Sequence, residues 1–210
     1  MRSDGDFHLD QDPVALEARR RTFVDLPWSQ PDEVHGTDVG VVRHPGDADR
    51  LRADALVTDC ADAVIGIWAG DCTPIALFSE SGRIGGVHAG WRGLRDGVVA
   101  NAVAAMRRDS EERVTATIGP CIHACCYEFG VGDLATMAAR FGPHVARTTR
   151  GGEPALDMVA ALSTALDESG VDLVVETEPS SSCTSCATDR YFSHRARGER
   201  ERHVMAVWRS

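Results

Sequence analysis

The sequence predicts an α/β (α+β) fold in which mixed β-sheets are flanked by helices, built as a single domain over residues 1–210. Apolar strand-like runs and amphipathic helical segments follow one another without strict alternation, which favours layered mixed sheets over a regular parallel sheet. With 43% hydrophobic and 26% charged residues, a chain of 210 residues has enough apolar side chains to bury a core.

The helices are predicted from their caps and from apolar spacing. The first spans Asp12–Leu26, where an aspartate N-cap candidate is followed by proline in the first turn. Apolar side chains near helical spacing predict a second helix at 94–107. Two further helices are predicted at 132–142 and 155–170, and the second of them ends at a Ser-Gly stop.

The strands are predicted from short apolar or alternating runs. An almost continuous apolar segment at 63–79 predicts one buried central strand, or two strands joined at Gly70 and Asp71. The other predicted strands occupy residues 37–44, 53–59, 82–90, 113–119, 171–179 and 202–209.

A predicted hairpin brings Cys72 and His88 close together. The polar turn Ser79–Gly82 separates two apolar strands, and a turn centred on its middle two residues places Cys72 opposite Ala89. A one-residue bulge or a longer loop would place Cys72 opposite His88 itself.

Three interpretations of this pair remain open from the residues alone. Cys72 is a buried thiol beside a hydrogen-bonded core histidine, a nucleophile activated by His88, or a metal ligand beside it. His35, in the polar stretch "EVHGTD", is the candidate third ligand. Two histidines and one cysteine leave a fourth position for water or substrate, which is the layout of a catalytic zinc site.

Six stretches, spanning residues 33–208, resemble in their order the YfiH-like (laccase-domain) proteins. Members of that family are also called multicopper polyphenol oxidases, purine nucleoside phosphorylases or peptidoglycan editing factors. The resemblance implies layered mixed sheets, distantly similar to the catalytic domains of cytotoxic necrotizing factors. The stretches are "EVHGTDV", "ADALVTD", "GDCTPIALF", "GVHAGWRGL", "IGPCIHACCYEFG" and "YFSHRARGERERHVMAVW".

The resemblance implies that His35, Cys72 and His88 hold a metal. Zn²⁺ suits two imidazoles and one thiolate, and Cu²⁺ is possible by ligand type. The activity implied is phosphorolysis of adenosine, inosine, guanosine and methylthioadenosine, with hydrolytic deamination of adenosine, so that the protein is a transferase and a hydrolase. A zinc-activated water can attack C6 of adenine.

Further site residues are predicted around this centre. The candidate catalytic residues are Cys72, His88 and Asp71. Asp71 is suited to proton transfer or to a hydrogen bond with a ligating histidine. Arg92 follows at a predicted helix start, where a guanidinium and backbone N–H groups bind an anion. The residues predicted to bind substrate or phosphate are Arg92, Ser193, Arg195 and Arg2.

Arg2 lies next to the chain terminus, and we expect it to be poorly fixed there. The resemblance includes an arginine that precedes the conserved stretches, and Arg2 is the residue that would match it. Poor ordering at this position would weaken that part of the substrate site.

Alternative functions are also predicted. Cys72 as nucleophile with His88 as base would make a hydrolase that edits a peptidoglycan precursor. A non-enzymatic scaffold that binds a metabolic partner is a third class. Polyphenol oxidation ranks low, because one three-ligand site does not hold the multi-copper cluster that laccase chemistry requires.

The other cysteines are ambiguous. Cys183 and Cys186 form a C-x-x-C pair, the usual half of a structural zinc site. The stretch holding Cys121, Cys125 and Cys126 has no such pair, and the resemblance does not imply metal ligands here. We therefore expect no second metal site, and the roles of these thiols stay open.

Composition limits the partners. A net charge of -10 disfavours a nucleic-acid partner, because phosphate contacts need clustered basic residues. No apolar run is long enough to span a membrane, and the polar N-terminus does not resemble a secretory signal. We expect a cytoplasmic protein with reduced thiols that acts on small molecules, and the sequence leaves its oligomeric state open.

Overall fold

The computed structural model describes residues 1–108, 110–175 and 183–209, and the strands in these ranges form three sheets. Numbered in chain order, the strands are β1 Trp28–Ser29, β2 Val39–Val42, β3 Ala55–Thr58, β4 Val64–Ala69, β5 Thr73–Ser79, β6 Ile84–Ala89, β7 Val114–Ile118, β8 Ala146–Thr148, β9 Pro154–Leu156, β10 Val171–Val175 and β11 His203–Trp208. The helices are α1 Pro13–Phe23, α2 Trp91–Asp96, α3 Val98–Arg107, α4 Val131–Phe141, α5 Met158–Glu168 and α6 His194–Arg197, with 3₁₀ turns at Arg2–Asp4 and Pro143–Val145.

The main sheet has six strands in the order β10-β7-β5-β6-β3-β2. Its central strands are antiparallel, whereas the two edge strands, β10 and β2, each run parallel to their neighbour. A second sheet has the order β1-β4-β11, and a third joins β8 to β9. The predicted mixed sheets flanked by helices are therefore confirmed.

The elements stack in four layers, and each two adjacent layers bury an apolar cluster between them. Helices α3, α4 and α5 cover one face of the six-stranded sheet through residues such as Val87, Val98 and Leu162. The three-stranded sheet covers the other face, where Ile65 and Ile67 are fully buried. The N-terminal segment and α1 cover the outside of the three-stranded sheet. Alternation along β4 explains this placement, because successive side chains point to opposite faces.

The apolar segment at 63–79 forms two strands rather than one. The break falls at the predicted Gly70–Asp71 position. Asp71 has a φ of 118°, a backbone conformation that residues other than glycine rarely adopt. The sequence did not indicate that the two strands enter different sheets. β4 joins the three-stranded sheet and β5 the six-stranded sheet, so this short connection crosses between layers.

The helix predictions are confirmed with corrected boundaries. Asp12 accepts a hydrogen bond from the Ala15 backbone N–H at 2.9 Å, as an N-cap does. The helix predicted at 94–107 starts earlier and divides at Gly97, whose φ of 105° ends α2. The helix predicted from residue 155 starts at Met158, because Asp157 caps it and the preceding residues pair as β9.

The strands predicted at 37–44, 53–59, 82–90, 113–119 and 202–209 are found with one or two residues fewer at each end, and the strand predicted from residue 171 begins there. The strand predicted at 171–179 is described only as far as Val175, and its last residues lie outside the described ranges together with 180–182. In the part of the chain that the structure describes, no helix is both long and apolar enough to cross a membrane.

Candidate metal centre

Three side chains predicted as ligands converge at one end of the six-stranded sheet. The ligand atoms of His35, Cys72 and His88 all lie within 4.8 Å of one another. The His35 Nε2 lies 3.7 Å from the Cys72 Sγ, and the two imidazole rings meet edge to face with centroids 4.9 Å apart. Tetrahedral zinc with ordinary bond lengths separates sulfur from nitrogen by about 3.6 Å. The donor set and its spacing therefore fit one zinc ion.

The hairpin brings Cys72 and His88 together in a different register from the predicted one. Pro74 pairs with His88, so Cys72 lies one position beyond the ladder, level with Gly90 rather than with Ala89. The loop has three residues between Ser79 and Arg83 instead of two, which shifts the pairing by one.

Gly90 explains why the thiol still reaches the imidazoles. Residues two apart on a strand share a face, so Gly90 and His88 point the same way. A β-carbon at Gly90 would lie 2.6 Å from His35 Cδ2 and 3.4 Å from the Cys72 Sγ. The candidate ligands therefore meet in the space that a side chain at position 90 would fill.

Asp54 positions two of the three candidate ligands. Its buried carboxylate accepts a hydrogen bond from the His88 Nδ1 at 2.8 Å and backbone N–H bonds from His35 at 2.8 Å and Gly36 at 2.7 Å. His35 holds a left-handed φ of 61° in this turn. Since the Nδ1 of His88 is occupied, its Nε2 is the atom available to a metal.

The electrostatics of the site favour a thiolate. Burial opposes ionisation of Cys72, but the charge on His88 and hydrogen bonds from His35 and His88 outweigh it and lower the thiol pKa to about 6. Burial likewise opposes charge on His88, yet the acidic groups of Glu33 and Cys72 and the bond to Asp54 raise its pKa well above the usual value. The thiolate is the form that binds metal.

Glu33 is a buried carboxyl group beside this centre. Its side chain is 2% exposed, its Oε2 lies 3.6 Å from the His88 Nε2, and its Oε1 accepts the Trp68 backbone N–H at 3.0 Å. Burial raises the pKa of Glu33 well above its ordinary range, against the opposing charge of His88.

The centre opens into a cleft of about 400 Å³. This volume falls in the range of small-molecule sites. Aromatic rings and guanidinium groups share the lining with the candidate ligands. They are Trp68, Trp91, Tyr127, Arg92, Arg195 and Arg202.

Arg92 lies in this cleft with its charge uncompensated by any described residue. Its exposed guanidinium makes no hydrogen bond or ion pair within the described ranges and stacks over the Trp91 ring at 4.4 Å. By contrast, Arg202 donates to three backbone carbonyls of its own loop. Arg92 is thus the guanidinium best able to bind an anion.

Asp71 and Arg195 also line the cleft, where they hold two loops together. The Asp71 carboxylate accepts the Thr184 hydroxyl at 2.6 Å and the Arg195 backbone N–H at 2.7 Å. The Arg195 guanidinium lies 5.2 Å from the Tyr127 ring centre. Both carboxylate oxygens of Asp71 therefore have structural partners.

Ser193 and Arg2 lie outside the cleft lining. The buried Ser193 hydroxyl caps α6 by accepting the Ala196 backbone N–H at 3.2 Å. Arg2 pairs with Glu199, donates to the Tyr191 carbonyl and covers the Phe192 ring. The expectation that Arg2 is poorly fixed was wrong, because these contacts attach the N-terminal turn to the C-terminal loop.

Several residues of the site are absent from the predicted set, above all Asp54 and Glu33. Asp54 immediately precedes β3 and lies within the apolar strand predicted at 53–59. A charged group in such a buried segment requires partners, which was the available signal. Glu33 precedes the His35 turn and had no such signal. His8 and His194 also line the cleft, and they arrive from distant segments.

Comparisons with known proteins agree with one another. The model of the multi-copper polyphenol oxidoreductase laccase family matches residues 4–210. A purine nucleoside phosphorylase of Xylella fastidiosa is 33% identical over 210 residues, with 93% of this chain and 79% of the relative covered. One from Streptomyces coelicolor is 35% identical over 207 residues, covering 94% and 84%. The crystal structure of a Neisseria meningitidis DUF152 protein superposes with a TM-score of 0.81 at 25% identity, covering 98% of this chain and 86% of that one.

Proposed function

The chain belongs to the laccase-like family of YfiH and DUF152 proteins, and from that premise we propose that it is a zinc-dependent purine nucleoside phosphorylase with adenosine deaminase activity. The observation that carries the proposal is one cleft that contains both the three-ligand centre and the uncompensated Arg92 guanidinium. A phosphorolytic site needs a place for phosphate and groups that stabilise the charge developing on the leaving base and the ribose.

The metal would be held by the His35 Nε2, the Cys72 thiolate and the His88 Nε2. Bound there, Zn²⁺ would supply a Lewis acid that lowers the pKa of water and stabilises developing negative charge. Asp54 keeps His88 in the correct orientation through Nδ1.

Phosphorolysis joins a phosphate oxygen to C1′ of the ribose while the bond from C1′ to N9 of the purine breaks. The products are the free base and ribose 1-phosphate, or methylthioribose 1-phosphate where the substrate is methylthioadenosine. Arg92 would bind the phosphate, and Arg195 lines the same cleft. The rings of Trp68, Trp91 and Tyr127 provide flat apolar surfaces on which a purine would stack.

Deamination would use the same cleft without phosphate. Water adds at C6 of adenine and ammonia leaves, so that adenosine becomes inosine. Adenosine, inosine, guanosine and methylthioadenosine are the proposed substrates, and their relative rates are set by how the base stacks and which edge it presents.

Turnover measured by liquid chromatography tests this proposal. Zinc-loaded protein is incubated with inosine or adenosine, with and without phosphate. We expect phosphate-dependent release of hypoxanthine from inosine, and inosine formation from adenosine without phosphate. Full turnover by Cys72→Ala protein would overturn the metal-centred proposal, whereas Arg113→Gln, in a surface ion pair with Asp172, serves as the unaffected control.

A second candidate is a hydrolase that uses Cys72 as nucleophile and acts on a peptidoglycan precursor. The observation in its favour is the thiol pKa of about 6, which gives a thiolate beside His88 at neutral pH. A covalent adduct on Cys72, trapped from substrate in metal-free protein and detected by mass spectrometry, would support it.

The remaining candidates predict different outcomes of the same assay. A scaffold turns over no nucleoside under any condition and retains a partner in pull-down experiments. Polyphenol oxidation requires several adjacent coppers, and the described residues around this cleft provide ligands for one ion. Cu²⁺ in place of Zn²⁺ at this site is checked by metal analysis of the purified protein.

A further inference from the structure

We propose that Cys125, Cys126, Cys183 and Cys186 bind a second, structural zinc ion. Their four sulfur atoms all lie within 4.8 Å of one another, although the two pairs are separated by more than fifty residues of chain. Three of the residues are half-buried and Cys183 is buried. The prediction that these thiols form no metal site is therefore revised by their arrangement.

The sulfur–sulfur distances match a tetrahedron around zinc. The Cys125 sulfur lies 3.6 Å from that of Cys126, 3.9 Å from that of Cys183 and 3.7 Å from that of Cys186. The sulfur atoms of Cys126 and Cys186 are 3.4 Å apart. A tetrahedron with zinc–sulfur bonds of about 2.3 Å has edges of about 3.8 Å. A disulfide would require about 2.05 Å, and all four cysteines are free.

Backbone turns place both pairs of thiols. Cys183 accepts backbone N–H bonds from Cys186 at 3.1 Å and Ala187 at 3.0 Å, which folds the C-x-x-C segment into a tight turn. On the facing loop, the Cys126 N–H donates to the His123 carbonyl at 2.9 Å. This second turn carries two adjacent cysteines, so its sequence contains no C-x-x-C pair and that pattern does not indicate a metal site here.

A basic residue lies beside the four-thiol cluster. Zinc with four thiolates has a net charge of −2. Arg150 donates its backbone N–H to the Cys125 carbonyl at 3.1 Å, which places an arginine next to the cluster. Charged and polar partners beyond the ligands commonly support metal sites.

The second ion would join the two loops that complete the cleft. The loop from Gly119 to Gly130 carries Tyr127, and the segment after Cys183 leads to Arg195 in α6. Cys121 pairs with Cys183 through the backbone, but its own thiol is buried outside the cluster. The zinc would thus fix two segments that line the cleft while contributing no group to the reaction.

Zinc content measured by mass spectrometry tests the proposal on protein purified without oxygen. We expect two zinc ions per chain in the unaltered protein and one in the double variant Cys126→Ser and Cys186→Ser. Cys72→Ala should also hold one, and Cys60→Ser, whose thiol contacts the Arg43 carbonyl far from the cluster, should hold two. Two ions in the double variant, or none in Cys72→Ala protein, would overturn the proposal.

X-ray absorption at the zinc edge provides a readout that does not depend on folding of the double variant. In Cys72→Ala protein the remaining zinc should show four sulfur neighbours at about 2.3 Å and no nitrogen neighbour. A shell containing nitrogen, or a disulfide between any two of the four cysteines in non-reducing peptide mapping, would contradict a four-thiolate site.

Discussion

At the scale of single residues, the candidate metal centre depends on a side chain that would not touch the metal. Asp54 accepts hydrogen bonds from the His88 ring and from the backbone of the turn that carries His35. Burial opposes its ionisation, but these bonds outweigh burial and lower the pKa of its carboxyl group. The acid therefore stays ionised and holds the His88 ring and the backbone turn of His35 in place.

Asp54→Asn should weaken zinc binding about 10- to 100-fold, because the amide loses the negative charge that holds the His88 N–H and accepts fewer bonds from the turn. Competition with a chromophoric chelator measures the change. Asp172→Asn removes an exposed carboxylate in a surface ion pair and should leave affinity unchanged. Equal affinity in both variants would contradict the positioning role of Asp54.

Cys72 should behave as a thiolate below neutral pH in metal-free protein. Its lowered pKa means that the reactive form accumulates as the pH rises through about 6, whereas an ordinary thiol needs about 8.5. Iodoacetamide labelling followed by peptide mass spectrometry gives the midpoint. His88→Gln should move the midpoint upward, since the charge of His88 is what offsets burial, and an unmoved midpoint would argue against this cause.

Arg92→Gln should raise the KM for phosphate about tenfold or more and leave the KM for the nucleoside nearly unchanged. Loss of a hydrogen bond to a charged group typically costs 1.5–3 kcal/mol, which corresponds to about that factor. Initial rates at varied phosphate measure it. Arg140→Gln, whose guanidinium pairs with Glu168 on the surface, is the matched control. An equal rise in both KM values would place Arg92 elsewhere in the reaction.

At the scale of elements, the site depends on where strands end. β6 ends at Ala89, and Gly90 passes the chain into α2, whose first residues Trp91 and Arg92 face the cleft. β5 begins one residue after Cys72. Cys72 therefore sits just outside regular pairing, and His88 is the last residue but one of β6, so the candidate ligands gather where these strands end.

Gly90→Ala should abolish zinc binding at the cleft while the protein stays folded. The added methyl group would lie 2.6 Å from His35 Cδ2, so the imidazole must move out of ligand position. Zinc content and far-ultraviolet circular dichroism measure the two parts. Gly132→Ala, which meets no atom within 4 Å in exposed α4, is the control that keeps its metal. Retained cleft zinc in Gly90→Ala protein would show that the close approach does not matter.

At the scale of the whole molecule, stability depends on polar groups that the packed layers enclose. His203, at the start of β11, is 2% exposed, and neither ring nitrogen has a hydrogen-bond partner among the described residues. Burial, supported by the charges of the N-terminus and Arg202, lowers its pKa to about 4 against a smaller effect of the Pro120 carbonyl. The His203 ring is therefore neutral in the folded protein at neutral pH.

Stability should fall as the pH drops from about 6.5 to 4, since the unfolded chain binds a proton at His203 that the folded chain refuses. With a folded pKa of about 4, the full contribution is about 3 kcal/mol. Urea unfolding of His203→Gln should show a shallower pH dependence over this range than unaltered protein. His44→Gln, on an exposed loop, should keep the original slope, and identical slopes in all three proteins would refute the assignment.

Local physics made much of this architecture predictable from the sequence. Asp12 and the Ser-Gly stop marked helix ends because caps satisfy backbone groups within a few residues. Alternating and apolar runs located the strands, because successive side chains of a strand point to opposite faces of the sheet. Misplaced boundaries, as at Gly97 and Met158, arose where a left-handed glycine or an aspartate cap overrode helical spacing.

What the sequence determined by itself is therefore most of the helices and longer strands, since these are carried by residue type and short-range spacing. His35, Cys72 and His88 became candidate ligands through the resemblance carried by their short motifs. The tertiary structure alone decided that β4 and β5 enter different sheets, that Asp54 holds the His88 ring and the turn of His35, and that Cys125 and Cys183 meet. These facts depend on contacts between segments distant along the chain. No periodicity records such contacts, because only the packing of completed layers brings the segments together.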